Sequence, residues 1–487
     1  MAEAKNYNEW FRIAKEYERM SGVIEWQRNP KSSYYDSDMI ANKLHYLKKI
    51  EHSSDSSLLL FHLRAGMIRN LGGIVDPHLY SNCYTGSKIL IHDYLKEAVK
   101  IIKHLMDDLG NNANTMKREF LTDTIKAYGR TALFLIGGVG FGTTHLGVVK
   151  AMLEKRLLPR VICGSAVGAV VASLVCVLDD EELLELLNEV NIDLSAFEKI
   201  GSKGSLRRKI VRFLKHGYLF DVNILEECIR ANIGDITFYE AYSRTGRELN
   251  IVVQSSRKHE VPLILSHLTA PDVVIWSAAS ASCAIPGLYD SVPLLCKDAK
   301  GNLSHWHATG IKWLDSSFQT EKTIVRLSEL FNVNHIIVSQ ANPYIVPFLQ
   351  PTYCNKNGIL FFILKFGMEE FRHRWYQLKE IGFLPNFILN LQKVFRGAIR
   401  GDVTIVPSFS KFDYLHLLEN PTVDSIKDGI LKGEKATWPL LASIEARCLI
   451  EFTLQEFYDK MSKAKSQKQV QVDPAAFSAK KRTKSFH

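Results

Sequence analysis

Thr131–Val171 reads TALFLIGGVGFGTTHLGVVKAMLEKRLLPRVICGSAVGAVV. After Thr131 the next five residues, Ala132–Ile136, are wholly apolar and run straight into glycines, as a central parallel strand buried on both faces would. A helix is predicted over Leu146–Lys155, a second strand at Val161-Ile162, and another helix from about Val167 to Leu178. Val161–Leu178 carries no charge over 18 residues. Its Gly, Ser and Ala content leaves it too weakly hydrophobic for a membrane span, so it is read as a buried strand, a turn and a buried helix. Strand-like runs recur at Leu249–Gln254, Val273–Ile275 and His335–Ser339. Strands alternating with helices predict a three-layer α/β core with a central, mostly parallel sheet over 126–345.

Around this core the pattern changes. Residues 1–125 read as a helical domain: Leu58–Leu71 is apolar-rich, and Ser87–Leu105 (SKILIHDYLKEAVKIIKHL) has helical spacing. Residues 346–462 form an extension that is first aromatic and basic, then helical. Within it, 358–400 interleaves nine aromatic residues, Phe361 to Phe395, with seven bases. Such interleaving suits a helix lying at a lipid interface. Residues 463–487 read as a basic, disordered tail. That tail holds seven bases and one acid, so it supplies six of the nine surplus positive charges of the 487-residue chain.

The composition, 46% hydrophobic with 29 Gly and 15 Pro, excludes fibrous and wholly disordered classes. Eight scattered cysteines without a C-x-x-C pair read as reduced thiols, and no His/Cys cluster has metal-ligand spacing. The start lacks an apolar leader, so the chain is expected not to be secreted. The basic tail comes with no reader motif for nucleic acid, and no nucleic-acid partner is expected.

Two elements carry the chemistry. Gly137-Gly138-Val139-Gly140-Phe141-Gly142 lies between a strand and a helix, where successive backbone N–H groups can favour negative charge. A phosphate-binding loop would need a lysine after Gly142, where Thr143 stands. A dinucleotide fingerprint fails at Thr143, and no ribose-binding acid follows. An oxyanion hole for acyl transfer, built on Gly137, Gly138, Val139 and Gly140, remains, beside a plain structural turn. Further on, Gly164-Ser165-Ala166-Val167-Gly168 has the frame of a nucleophile elbow, G-x-S-x-G. The position that should bear the hydroxyl is Ala166.

Other stretches carry a family resemblance: Arg69–Ile74 (RNLGGI), Gly86–Ile91 (GSKILI), Gly137–His145, Trp276–Ala278, Cys283–Gly287 (CAIPG), Asn334-His335, Ser339–Pro343 (SQANP), Gly401–Pro407 (GDVTIVP) and Gly433–Pro439 (GEKATWP). Together they resemble the patatin-like acyl hydrolases, most closely the fungal-type triacylglycerol lipase branch. The resemblance implies a serine–aspartate dyad without histidine, with the glycine loop holding the oxyanion. It places the aspartate on Asp315, followed by Ser316 where the family has glycine, and the nucleophile on Ala166.

A methyl group cannot attack a carbonyl. The expectation is therefore a lipid ester hydrolase by descent whose catalysis is impaired, acting as a lipid-binding or regulatory pseudoenzyme in neutral-lipid metabolism. The alternative is an active hydrolase or acyltransferase using a displaced Ser165 with Asp315. No metal or other cofactor is expected. The expected partners are a neutral-lipid or phospholipid surface and an active lipase relative, at a lipid droplet or the cytoplasmic face of a membrane. His145 is read as a packing or capping residue, and Trp276 and Pro286 as structural.

Overall fold

The computed structural model describes residues 1, 3–51, 60, 63, 64, 66–108, 114–190, 192, 218–255, 263–285, 288–306, 311–315, 320–343, 400–417 and 419–472, with isolated positions between 345 and 381. Most of the aromatic–basic stretch 358–400, together with Pro286, Ser316 and the tail beyond Val472, lies outside the described residues. The chain divides into two compact units, each discontinuous in sequence: Met1–Trp10 with Thr131–Leu440, and Phe11–Arg130 with Leu441–His487. The sequence reading had drawn four consecutive regions.

The second unit is helical. It holds most of α1 (Tyr7–Met20), α2 (Ser37–Glu51), α3 (Ile89–Asp108), α4 (Asn114–Tyr128) and the C-terminal helix Leu441–Val472, which continues past Lys463 into the stretch read as tail. Three residues from two of the motifs quoted above act here as fasteners. Arg69 donates to the carbonyls of Gly129 (3.0 Å) and Arg447 (2.9 Å) and pairs with Glu451 at 3.0 Å. Gly73, at φ 85°, sits where a Cβ would stand 2.9 Å from the Tyr34 carbonyl oxygen, so only glycine fits without displacing backbone. The Lys88 ammonium donates to the carbonyls of Trp26 and Asn29, at 2.7 and 2.8 Å, and lies over the Trp26 ring.

The first unit is the α/β core. Strands β1 (Arg130–Ile136), β2 (Val161–Ser165), β3 (Glu248–Ser255), β4 (Leu263–Leu265), β5 (Val292–Pro293), β8 (Lys312–Asp315), β9 (Val333–Gln340) and β10 (Val403–Ile405) form one sheet. Its order is β10-β9-β1-β2-β3-β8-β5, with β4 also on β3, while β6 (Leu295–Lys297) and β7 (Leu303–His305) pair separately. The pairs β1–β2, β2–β3 and β9–β10 are parallel; β3–β4, β3–β8 and β5–β8 are antiparallel.

Alternate residues divide between the two faces. Ala132, Phe134, Ile136, Val161, Cys163, Val252 and Val338 pack under Leu327 and Phe331 of the helix Thr320–Phe331. Leu133, Leu135, Ile162 and Ile251, of the opposite parity, are equally buried. The helices Val167–Val177 and Ile275–Cys283 pack against β2 and β3. Burial on both sides explains why β1 reads as an unbroken apolar run. Residues Met1–Trp10 join this unit through Tyr7 and Trp10, whose rings lie 6.4 and 6.1 Å from Trp438.

Two readings change. Val273–Ile275 is not a strand: Val273 and Val274 make only isolated bridges, and a helix starts at Ile275. Apolar β-branched residues made it look like a strand, but small residues follow and let a helix pack closely on the sheet. The sheet also does not end near residue 345, because β10 adds Val403–Ile405. The uncharged stretch Val161–Leu178 is β2, a one-residue turn and a helix, as read from its composition. Among the described residues no helix is long and apolar enough to cross a membrane.

Candidate active site

The site lies where β1 and β2 end at their carboxyl edge, the place where open α/β sheets bind ligands. From β1 the chain enters Gly137 (φ 72°), Gly138 (φ 127°) and Val139 (φ 43°) before a 3-10 turn over Val139–Gly142 leads into α5 (Thr143–Glu154). Three successive positive φ angles bend the chain sharply, and Val139 holds such an angle despite its branched side chain. Gly138 has no room for anything larger, because a Cβ there would stand 2.6 Å from Gly142 Cα.

From β2 the chain passes Ala166 at φ 52°, ψ −131° into α6 (Val167–Val177). This is a region that L-residues almost never occupy, at a cost of about 1–3 kcal/mol. Its two glycines are sterically demanded. A Cβ on Gly164 would meet Ala169 Cα at 2.5 Å, and one on Gly168 would meet the Leu135 carbonyl oxygen at 2.1 Å. The turn and the loop are laced together: the Gly137 N–H donates to the Ser165 carbonyl (3.2 Å), and the Gly168 N–H to the Gly137 carbonyl (3.1 Å).

These bonds decide which amides are available. The Gly137 amide is already taken by Ser165, and Phe141 N–H donates to the Gly138 carbonyl at 2.6 Å. Among the described residues, the amides of Gly138 and Val139 have no backbone acceptor.

Ala166 forms the apex of the bend. Ser165 is the last residue of β2, its Cα partnered with Ile136 of β1, and it is buried. Asp315 ends β8. The β2–β3 register pairs Gly164 with Ile251, and the β3–β8 register pairs Val253 with Asp315. β3 thus lies between β2, which leads into Ala166, and β8, which ends at Asp315. The side chain of Asp315 lies outside the described residues.

Three contacts here went unread in the sequence. Ser282, on α7 (Ile275–Cys283), accepts a hydrogen bond from the Ala166 N–H (3.1 Å) and donates one to the Val252 carbonyl (2.9 Å). One hydroxyl thus pins the bend to β3. Asn342 packs on Gly137 so closely that a Cβ there would lie 1.7 Å from its Oδ1. His145, wholly buried on α5, has Nδ1 2.8 Å from Ser339 Oγ. Burial drives its pKa down to about 4, opposed in part by the backbone at Gly137 and Ile136, so the ring is neutral at pH 7. Only contacts from distant elements give these residues their places, and nothing in the local pattern marks them.

Residues 133–316 match the family described as Patatin-like phospholipase, and residues 1–126 match a domain of unknown function, DUF3336. Triacylglycerol lipase ptl3 of Schizosaccharomyces pombe is 31% identical over 95% of this chain and 97% of its own length. The chain belongs to the patatin-like family, in its fungal-type triacylglycerol lipase branch. Triacylglycerol lipase 5 of Saccharomyces cerevisiae and Triacylglycerol lipase SDP1L of Arabidopsis thaliana are each 35% identical, over 93% and 98% of this chain. The chain spans only 63% and 60% of the length of those two relatives. The solved structure of VipD from Legionella pneumophila aligns over 65% of this chain and 67% of its own at 16% identity and a TM-score of 0.31, too slight a likeness to argue from.

Proposed function

We propose that this chain binds a long-chain acyl ester at the cradle formed by the glycine loop and the Ala166 bend, and no longer cleaves it by serine attack. It is a lipid-binding, regulatory pseudoenzyme of neutral-lipid metabolism. Its place is the surface of a lipid droplet or the cytoplasmic face of a membrane, and its protein partner is an active lipase of the same family. The observation that carries this reading is Ala166 itself, held in the costly backbone conformation of a nucleophile apex while bearing only a methyl group. In a serine protease, loss of the serine nucleophile lowers kcat by about 10⁶ and leaves roughly 10³–10⁴ over water. The amides of Gly138 and Val139, which have no backbone acceptor among the described residues, support a retained capacity to bind the ester carbonyl. Neutral lipid is the substrate class named for the relatives, and it becomes the ligand class here.

The test compares native chain with Ala166→Ser on emulsified triacylglycerol. The native chain is expected to be silent, and the serine variant to gain turnover because it restores a hydroxyl at the bend beside the glycine loop. Native turnover near ~1 s⁻¹ or above, in the range usual for enzymes, would refute the reading. A fluorophosphonate probe separates the rival mechanism: labelling of the native chain that disappears in Ser165→Ala would make Ser165 a displaced nucleophile. Ser165 closes a buried strand rather than standing on the bend, so no labelling is expected.

A further inference from the structure

We propose that the short helix Lys411–Leu415, beside the glycine loop, is an anchor that inserts Phe412 and Leu415 into a phospholipid surface. The proposal rests on the reading of this site as one for lipid esters, and names the surface from which the ester is reached.

The helix is fastened firmly on its inner side. Phe409, just before it, stacks on Phe141 of the glycine loop with ring centroids 3.8 Å apart, and Tyr414 meets the same ring edge-on at 5.0 Å. The Tyr414 hydroxyl donates to the Pro343 carbonyl at 3.1 Å. A Cβ on Gly140 would lie 2.5 Å from the Leu417 carbonyl oxygen, so the segment touches the loop backbone directly. Ser410 and Asp413 form a capping box, and Asp413 pairs with Lys432 at 2.8 Å.

The outer side carries nothing that packing explains. Phe412 is 75% exposed and Leu415 73%, and three residues apart on a helix they share a face. Single exposed apolar residues are ordinary on a protein surface. Here, however, the only acid of the helix is turned inward to Lys432, while Lys411 is left exposed next to Phe412. Apolar side chains at the tip with a cation beside them, and the anion withdrawn, match the charge pattern of an interface of acyl chains and phosphate head groups. Because the helix is tied to Phe141, insertion would hold the glycine loop close to the acyl layer, and an ester leaving that layer would reach the Gly138 and Val139 amides over a short path.

The experiment is flotation of the full chain with phosphatidylcholine vesicles, with and without phosphatidylserine. Native chain should float, and more strongly with the anionic lipid. Phe412→Ser combined with Leu415→Ser should reduce the partition coefficient roughly tenfold or more, whereas Leu268→Ser, also exposed on this unit, should leave it unchanged. Phe412→Trp supplies the local readout: its emission should move to the blue and be quenched by brominated acyl chains. No flotation of the native chain, flotation of the double variant equal to native, or a Phe412→Trp signal indifferent to brominated lipid would each overturn the proposal. None of these measurements involves turnover. A failure of Ala166→Ser to hydrolyse ester therefore bears on the proposed function alone.

Discussion

At the scale of single residues, the decisive fact is a costly backbone conformation held by an alanine. Ala166 holds φ 52°, ψ −131° because the ends of β2 and α6 and the hydrogen bond to Ser282 leave it no other. Ala166→Gly should therefore raise stability by about 1 kcal/mol, the relief of strain outweighing the greater chain entropy of glycine, as urea denaturation midpoints would show. His145 makes the pH behaviour of the core predictable. Its folded pKa of about 4 lies below the ordinary 6.5, so the folded state refuses a proton that the unfolded chain accepts. Stability from this group is whole above pH 6.5 and falls as the pH drops toward 4, by about 3 kcal/mol in all. Midpoints at pH ~7.5 and ~4.5 should differ less in His145→Gln than in the native chain. Gly164 and Gly168 could be read from sequence because the steric demand they meet comes from residues close in the chain or in the adjoining strand. Ser282 could not, since its partner Ala166 is remote and a serine in a helix looks like any other.

At the scale of elements, two strand–turn–helix units in series define the site, and a close helix pair supports the first. The helix α5 meets α8 (Val423–Thr437) through glycines: a Cβ on Gly147 would lie 1.9 Å from the Ile430 carbonyl oxygen, and one on Gly433 2.0 Å from that of Thr144. Lys150 and Glu434 pair across the same contact at 3.3 Å. This explains physically why the GEKATWP stretch begins with glycine. Gly147→Ala should push the helices apart and cost about 3 kcal/mol, at the upper end of overpacking effects because the obstacle is backbone. A fall in melting temperature of Gly147→Ala, set against an exposed control such as Val325→Ala, checks this. Strands buried on both faces were legible as apolar runs. Short edge strands such as β5 and β10 were not, since two or three residues carry too little pattern to stand out from loops.

At the scale of the molecule, residues far apart in sequence fold as one unit. Arg69 ties Gly129 to Arg447 and Glu451, and Arg447 in turn donates to the Val75 carbonyl at 2.6 Å. The Arg69 and Glu451 side chains are only 10% and 9% exposed, so removing one breaks a buried ion pair, at a cost of about 3–5 kcal/mol. Arg69→Met is expected to lower amide-exchange protection in α3, α4 and the helix Leu441–Val472 together, because they form one cooperative unit. Loss confined to the neighbourhood of residue 69 would contradict that.

By itself the sequence determined the family, the identity of the residue at the bend and the strands flanking it. Periodicity, glycine placement and the identity of residue 166 are local properties, legible from a few neighbours in the chain. Tertiary structure alone decided that Gly137 has its amide occupied, that Ser282 pins the bend, and that the C-terminal helix belongs with the N-terminal ones. Each of these is a meeting of segments remote in sequence. Such meetings depend on register and packing, which no local pattern of residues encodes.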